Sequence, residues 1–255
     1  MTEIDTSKPN AARVYDYLLG GNNNFEADRA AAEYMLKQMP AASNGARLHR
    51  WFMLGAVERL SQAGFSCYLD LATGLPTQNY IHDLVPHAKV LYNDIDPVTV
   101  SYAKQIVGDN PNVLYLQSNI LDLATILKAA DEHFAGERKV GICFVGVSYF
   151  FTDAQLQSIL DTLYEWAAPG TEMAFSWLTF PKVHDESLTK VLENYRRMQV
   201  ELYSRTTDDI RAMLGGWQLR DPGMLPINEW SSVDNTWREG APADGDMYGC
   251  IVQKQ

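Results

Sequence analysis

In the first quarter of the chain the apolar positions follow a helical period; beyond it they gather into short runs that alternate with helical stripes. The early pattern predicts helices over 10–19 and 25–39, parted by the turn-forming run Gly20-Gly21-Asn22-Asn23-Asn24 and closed by Pro40. A third helix is expected over 46–63, where Met53, Ala56, Val57 and Leu60 share one face.

Alternation then begins. Strands are predicted at 67–71, 89–93, 113–117, 140–147 and 173–178. Between them fall helices over 77–85, after Asp96-Pro97, over 121–134, and from the capping box Thr152-Asp153-Ala154-Gln155 to Pro169-Gly170. The run Val140–Val147 is apolar throughout, as suits a parallel strand covered on both faces. Helices over 185–203 and 207–214 follow, then strands near 217–221 and 247–253 with no helix evident between them, which implies an antiparallel pair. The whole reads as an α/β sheet with helices on both faces, whose ligand sits at the carboxyl ends of the strands.

Composition narrows the function. The chain has 255 residues, 46% of them hydrophobic, enough for a substantial core. No apolar run reaches membrane-span length, and the polar, acidic start Met1-Thr2-Glu3-Ile4-Asp5 is unlike a secretory signal, so a cytoplasmic protein without membrane contact is expected. A net charge of -11 disfavours a nucleic-acid partner, since the one adjacent pair Arg196-Arg197 is flanked by Glu193 and Glu201. Cys67, Cys143 and Cys250 lack metal spacing and read as small core residues. No metal is expected.

The chemistry lies in four loops. The first runs Asp70-Leu71-Ala72-Thr73-Gly74-Leu75-Pro76-Thr77. It lacks the G-x-G-x-x-G of dinucleotide sites, and a carboxylate at Asp70 would repel a pyrophosphate while attracting a ligand's amino group. S-adenosylmethionine, which carries an amino-acid end and no phosphate, suits it better than NAD. A turn whose aspartate merely caps backbone donors is the other reading. Asp94 follows Asp70 by 24 residues, near the spacing at which a carboxylate meets a ribose diol, with Ile95 beside it. Asp96 reads as an N-cap. Ser118, Asn119 and Ile120 stand where an adenine edge would lie, although an ordinary turn explains them as well. The fourth loop, Gly146-Val147-Ser148-Tyr149-Phe150-Phe151, would face the sulfonium and the acceptor, although Tyr149, Phe150 and Phe151 read equally well as core aromatics.

These residues belong to a wider resemblance. The stretch Thr6–Gly21 with Asn24-Phe25 and Asp28-Arg29-Ala30, then Arg50 with Phe52, Leu69-Asp70, Thr73–Thr77, Asp94, Asp96-Pro97 and Tyr248-Gly249 together resemble a bacterial S-adenosyl methyltransferase family long catalogued as a domain of unknown function. The resemblance implies a Rossmann-like class I methyltransferase with a seven-stranded sheet, its last strand antiparallel, and a helical amino-terminal lid (1–63) on a cofactor-binding core (64–255). Arg13, Tyr17, Asn24 and Phe25 of this segment are expected to close over the cofactor, with Gly20-Gly21 as a hinge; helices that merely decorate the packing are the other reading. The chain departs from the family's usual residues at Ala72, a glycine there; at His49, an asparagine; and at Ser148-Tyr149, often Leu-His.

The expected reaction is SN2 methyl transfer from S-adenosylmethionine, leaving S-adenosylhomocysteine, with alignment supplying most of the rate. The acceptor is expected to be a small, aromatic or hydrophobic molecule, walled by Tyr149, Trp177, Phe180, Trp230 and Trp237. His49, Tyr149 and His184 are the candidate catalytic side chains. Two other readings are a non-catalytic S-adenosylmethionine-binding regulator and a nucleotide-dependent oxidoreductase; the missing glycine fingerprint argues against the latter.

Overall fold

The computed structural model describes residues 5–75, 80–181, 186–197, 200–231 and 246–255. Their centre is an eight-stranded sheet. Five strands are parallel: β1 (Cys67–Leu71), β2 (Lys89–Asp94), β3 (Val113–Gln117), β4 (Gly141–Phe144) and β5 (Glu172–Thr179). Three more follow: β6 (Trp217–Leu219), the two-residue β7 (Leu225–Pro226) and β8 (Asp246–Lys254). The order is β3-β2-β1-β4-β5-β8-β6, with β7 pairing β8 off this path. β8 runs antiparallel to both β5 and β6, so the expected antiparallel tail is present. The eighth strand is the addition: β8 takes β6 at its far end and β7 at Tyr248 and Gly249.

Helices cover both faces. They are α1 (Ala11–Leu18), α2 (Glu26–Gln38), α3 (Ala42–Gln62), α4 (Ile81–Leu84), α5 (Pro97–Val107), α6 (Leu123–His133), α7 (Asp153–Trp166), α8 (Glu186–Arg197), α9 (Thr207–Met213) and α10 (Ile227–Trp230). Their ends follow from local chemistry. Asp96 accepts from the Val98 and Thr99 amides ahead of Pro97, and Thr152 with Gln155 closes a reciprocal box. The predicted start of the helix near Thr77 lies outside the described residues. Strand β4 is shorter than its apolar run because Gly146 turns left-handed (φ +74°) and Ser148–Phe150 form a 3-10 turn.

The boundary expected at residue 63 does not match the packing. On α3, Met53, Val57 and Leu60 join Tyr68, Val90, Tyr92 and Cys143 in one cluster, while Leu48, Phe52 and Ala56 join Ala174, Met247 and Ile251 in another. This helix is therefore a layer of the sheet domain. Only α1 and α2 form a separate satellite with Ala46, around Leu18 and Ala32.

The amino-terminal signature knits that satellite together. Arg13 and Asp28 form a buried ion pair of 2.7 Å, and Asp28 also accepts from the Asn10 and Phe25 amides. The Arg13 guanidinium stands 5.4 Å from the centre of the Phe25 ring. Asp16 accepts from the Asn23 amide and the Asn24 side chain, and a Cβ at Gly21 would come within 2.1 Å of its carboxylate. Glycine at 21 is thus required by close approach. These contacts make the Gly20-Gly21 turn a clamp, where a hinge was expected.

Candidate active site

The four strand ends bring the sequence-predicted loops to one edge of the sheet. Leu71 lies beside Asn93 and Asp94 beside Gln117, and the Thr73 amide continues the β1–β2 ladder by donating to the Asn93 carbonyl at 2.9 Å. The first loop then bends sharply. Ala72 has φ +59° and Gly74 φ +70°. The Ala72 methyl occupies left-handed space that glycine enters freely, which gives the glycine of the resembled family a physical reason.

Asp94 is nearly buried. One carboxylate oxygen accepts from the Gly74 amide and the other from the Asp96 amide, both at 2.9 Å. Burial raises its pKa against those two donors. The carboxylate has lone pairs beyond the two engaged and can still accept from hydroxyls. Beside it Ile95 stands 62% exposed, an apolar surface of the kind a flat base covers. Asn119 is exposed, its side chain accepting from the Leu121 amide. Ile120 instead packs into the core against the sheet, so it offers no face to a ligand. Pro76 lies outside the described residues.

Asp70 sits at the end of β1 in a buried polar nest. Burial pushes its carboxyl up to about 7, with the Arg50 guanidinium and a Thr73 hydrogen bond opposing. Arg50 comes from α3. Its guanidinium lies 4.4 Å from the centre of the Tyr80 ring and donates to the Tyr80 hydroxyl at 3.1 Å. That hydroxyl donates in turn toward the Leu75 carbonyl. Among the described residues no ion pair joins Arg50 to Asp70 directly, though each feels the other's charge. Arg50 was absent from the expected site residues. Its signal was available: it continues the Met53, Val57, Leu60 stripe one turn back, placing a cation on a buried face.

The donor set fits S-adenosylmethionine. A half-buried cation and a buried carboxyl that feel each other's charge match the two charges of an amino-acid end, Asp94 matches a diol, and Ile95 matches an aromatic base. Across these loops lies α1. The Asn10 side chain donates to Asp96 at 2.6 Å, Tyr102 reaches Asn23 at 2.8 Å, and Ala12 is the nearest contact of a Cβ built at Gly74, at 3.9 Å. Arg13, Asn24 and Phe25 face inward on the satellite, and the Tyr17 hydroxyl reaches Glu33 at 3.3 Å. They shape the cover without pointing at the loops beneath it.

A cavity of about 190 Å³ adjoins this region. Tyr15 and Leu18 of α1, Met35 of α2, and Met39 and Ala42 wall one side; Leu178, Phe180, Leu188 and Met247 wall the other. His49 and Tyr149 also line it, ring centres 6.2 Å apart, and both flank the position a Cβ would take at Gly146. Burial lowers the His49 pKa to about 4, a hydrogen bond to the Gly45 backbone opposing, and holds the Tyr149 hydroxyl well above its usual value.

The expected aromatic wall is thereby corrected in two places. Trp177 is fully buried, stacked between Phe175 and Tyr248 at 5.8 and 5.6 Å, because β5 is covered on both faces. Trp230 lies edge-on to Phe52 and donates to the Gly249 carbonyl at 3.0 Å, covering β8 away from the cavity. Phe180 and Tyr149 do line it. His184 and Trp237 lie outside the described residues.

A Rossmann-like sheet with an antiparallel penultimate strand, and a phosphate-free cradle at its carboxyl edge, define a class I S-adenosylmethionine-dependent methyltransferase. The chain belongs to the S-adenosyl methyltransferase family, whose model matches residues 1–255. It is similar to a DUF574 family protein from Streptomyces avermitilis MA-4680, at 27% identity and TM-score 0.84, with 99% of this chain and 100% of that chain covered. A protein of Thermobifida fusca YX described as a candidate methyltransferase is 29% identical, TM-score 0.82, with 98% and 97% covered. The N-methyltransferase NodS from Bradyrhizobium japonicum WM9, solved with S-adenosyl-L-homocysteine, shares the fold at 15% identity and TM-score 0.53, with 95% and 98% covered. No curated protein matches significantly. The cofactor is S-adenosylmethionine. Among the described residues no helix is long and apolar enough to cross a membrane, and no group of three His, Cys, Asp or Glu side chains could hold a metal.

Proposed function

We propose that the enzyme methylates a small, largely apolar molecule seated between α1, α2, α3 and the ends of β5 and β8. The observation that carries this reading is the largely apolar cavity of about 190 Å³, two of whose lining residues, His49 and Tyr149, stand beside Gly146. That volume is below the roughly 300–1,000 Å³ of drug-sized sites, so the acceptor is small. A net charge of -11 favours a neutral or cationic molecule over a polyanion.

On this reading Arg50 and Asp70 hold the carboxylate and ammonium of the cofactor's amino-acid end. Asp94 accepts from the ribose hydroxyls, the backbone at Thr73 and Gly74 lines the chain between them, and Ile95 with Ser118 and Asn119 borders the base. When bound, the cofactor supplies an electrophilic methyl group on a sulfonium. The chain's own contribution is placement: α1 and α2 cover both compartments and exclude water, and the cavity wall aligns the acceptor atom.

The test is calorimetric titration with S-adenosylhomocysteine, then a methylation screen of small apolar alcohols, phenols and amines against polyanions such as RNA. Methylation within the apolar set alone supports the reading. Tight cofactor binding with methylation of neither set would favour a regulatory cofactor-binding protein.

A further inference from the structure

We infer that His49 takes the proton of the methyl acceptor, and that the acceptor therefore carries a hydroxyl or N–H at one end of an apolar body. This rests on the methyltransferase reading above. His49 lines the cavity, yet its Nε2 is buried without a hydrogen-bond partner. The Gly45 backbone, one turn earlier on α3, lies close enough to the ring to favour its protonated form. On this proposal the proton sits on Nδ1, toward that backbone, and Nε2 carries the free lone pair. A buried acceptor left unpaired is costly unless something donates to it, and among the described residues no protein group does.

The other described histidines behave differently. His82 pairs with the Tyr92 hydroxyl at 2.8 Å, His133 with the Asn112 carbonyl at 3.1 Å, and His87 is exposed. None of them lines the cavity.

Placement agrees with the role. The imidazole lies beside Gly146, at the end of the strand that leads to the cofactor loops. The titratable groups around the cavity are Tyr15 from α1, Tyr149 from the 3-10 turn, Tyr195 from α8 and Asp246 from β8. Burial pushes the three phenols up, so they stay neutral, and Asp246 accepts from the Met247 amide. Burial likewise keeps the imidazole unprotonated near neutrality. In the step, the acceptor's O–H or N–H bond breaks and its proton goes to Nε2. The nucleophile's electron pair forms the new bond to the methyl carbon. The electron pair of the broken C–S bond stays on sulfur, which becomes a neutral thioether.

The experiment uses the full chain loaded with S-adenosylhomocysteine, 15N-labelled at histidine, with phenol and anisole as paired probes. The Nε2 resonance of His49 should report an unprotonated nitrogen from pH 8 to pH 5. Phenol should shift it toward the hydrogen-bonded range and bind at least ~10-fold more tightly than anisole. His49→Gln, which keeps an acceptor oxygen, should retain part of that preference, and His49→Phe should erase it. Equal binding of the two probes, no binding of either at millimolar concentration, or a neutral ring protonated at Nε2 overturns the inference. The parent protein's resonance decides the tautomer even if a variant fails to fold. Failure to bind S-adenosylhomocysteine overturns the methyltransferase reading with it; intact binding without the phenol preference overturns the inference alone.

Discussion

The two compartments at the carboxyl edge of the sheet are built on opposite principles. On the proposed reading the cofactor side is made of Asp70, buried at the end of β1, Asp94, held by two backbone amides, and half-buried Arg50 against the Tyr80 ring. The acceptor side is made of methionine, leucine and aromatic surface, with one bare nitrogen. Charge recognition rejects a wrong ligand strongly because every unmatched partner is left desolvated. Apolar walls discriminate mainly by size. On the proposed reading the first compartment is thus suited to one cofactor, and the second to a class of acceptors.

The comparison breaks most readily at Arg50. Arg50→Met should leave the Asp70 carboxyl without its cation and remove the carboxylate anchor. Losing a buried charged partner costs about 3–5 kcal/mol, so cofactor affinity by calorimetry should fall by at least ~100-fold. A loss of less than a few-fold would place the amino-acid end elsewhere. The acceptor side should respond in the opposite sense. Ala42→Trp, which fills the cavity, should cut kcat/KM for the acceptor by more than ~10-fold while cofactor affinity stays within a factor of about 2.

Protons sharpen the contrast. Asp70 is raised to about 7 by burial, so the free folded protein binds more protons than the unfolded chain between pH 4 and 7. Its contribution to stability is full below about pH 4 and is lost as pH rises through 7. His49, lowered to about 4, works the other way: its contribution is full above about 6.5 and falls as pH drops toward 4. Asp70→Asn should therefore raise the neutral-pH melting temperature of the free protein more than the acid one. A ligand ammonium beside Asp70 should also release roughly half a proton at pH 7, read by calorimetry in buffers of different ionisation enthalpy. An unchanged pH profile in the variant would remove Asp70 from this role.

The smallest effect is expected at Ala72. Ala72→Gly relieves a left-handed alanine worth about 1–2 kcal/mol and adds glycine's entropy cost of about 0.5–1, leaving a net gain of about 0.5–1 kcal/mol in urea unfolding. A destabilised variant would mean the methyl makes a contact that outweighs its backbone cost.

Much of this was legible in the chain itself. Strands β1 and β3 fall on the predicted residues, because continuous apolar runs bounded by turns leave little freedom. The loops after β1 and β2 came with them. What escaped was side-chain direction. Trp177 and Trp230 were placed by topology near the opening, but a strand covered on both faces hides alternate residues equally, and an indole N–H satisfied by Gly249 turns Trp230 onto β8. Arg50 escaped because its helix was assigned to a lid, although the apolar stripe it extends was readable in the sequence; the packing of α3 on the sheet gives that stripe its meaning. His49 and Tyr149, two of the departures from the resembled family, are 100 residues apart in the chain yet neighbours in space, and only folding brings their rings together.

Helix α1 touches the cofactor loops through Asn10 and Ala12 and walls the acceptor cavity through Tyr15 and Leu18. Two ligands thus share one door. If α1 and α2, clamped together, move as one cover, that movement uncovers both proposed compartments at once. If that movement is the slow event, turnover has a ceiling set by the Asn10–Asp96 latch, and good and poor nucleophiles converge on the same maximal velocity while differing in the concentration needed to reach it.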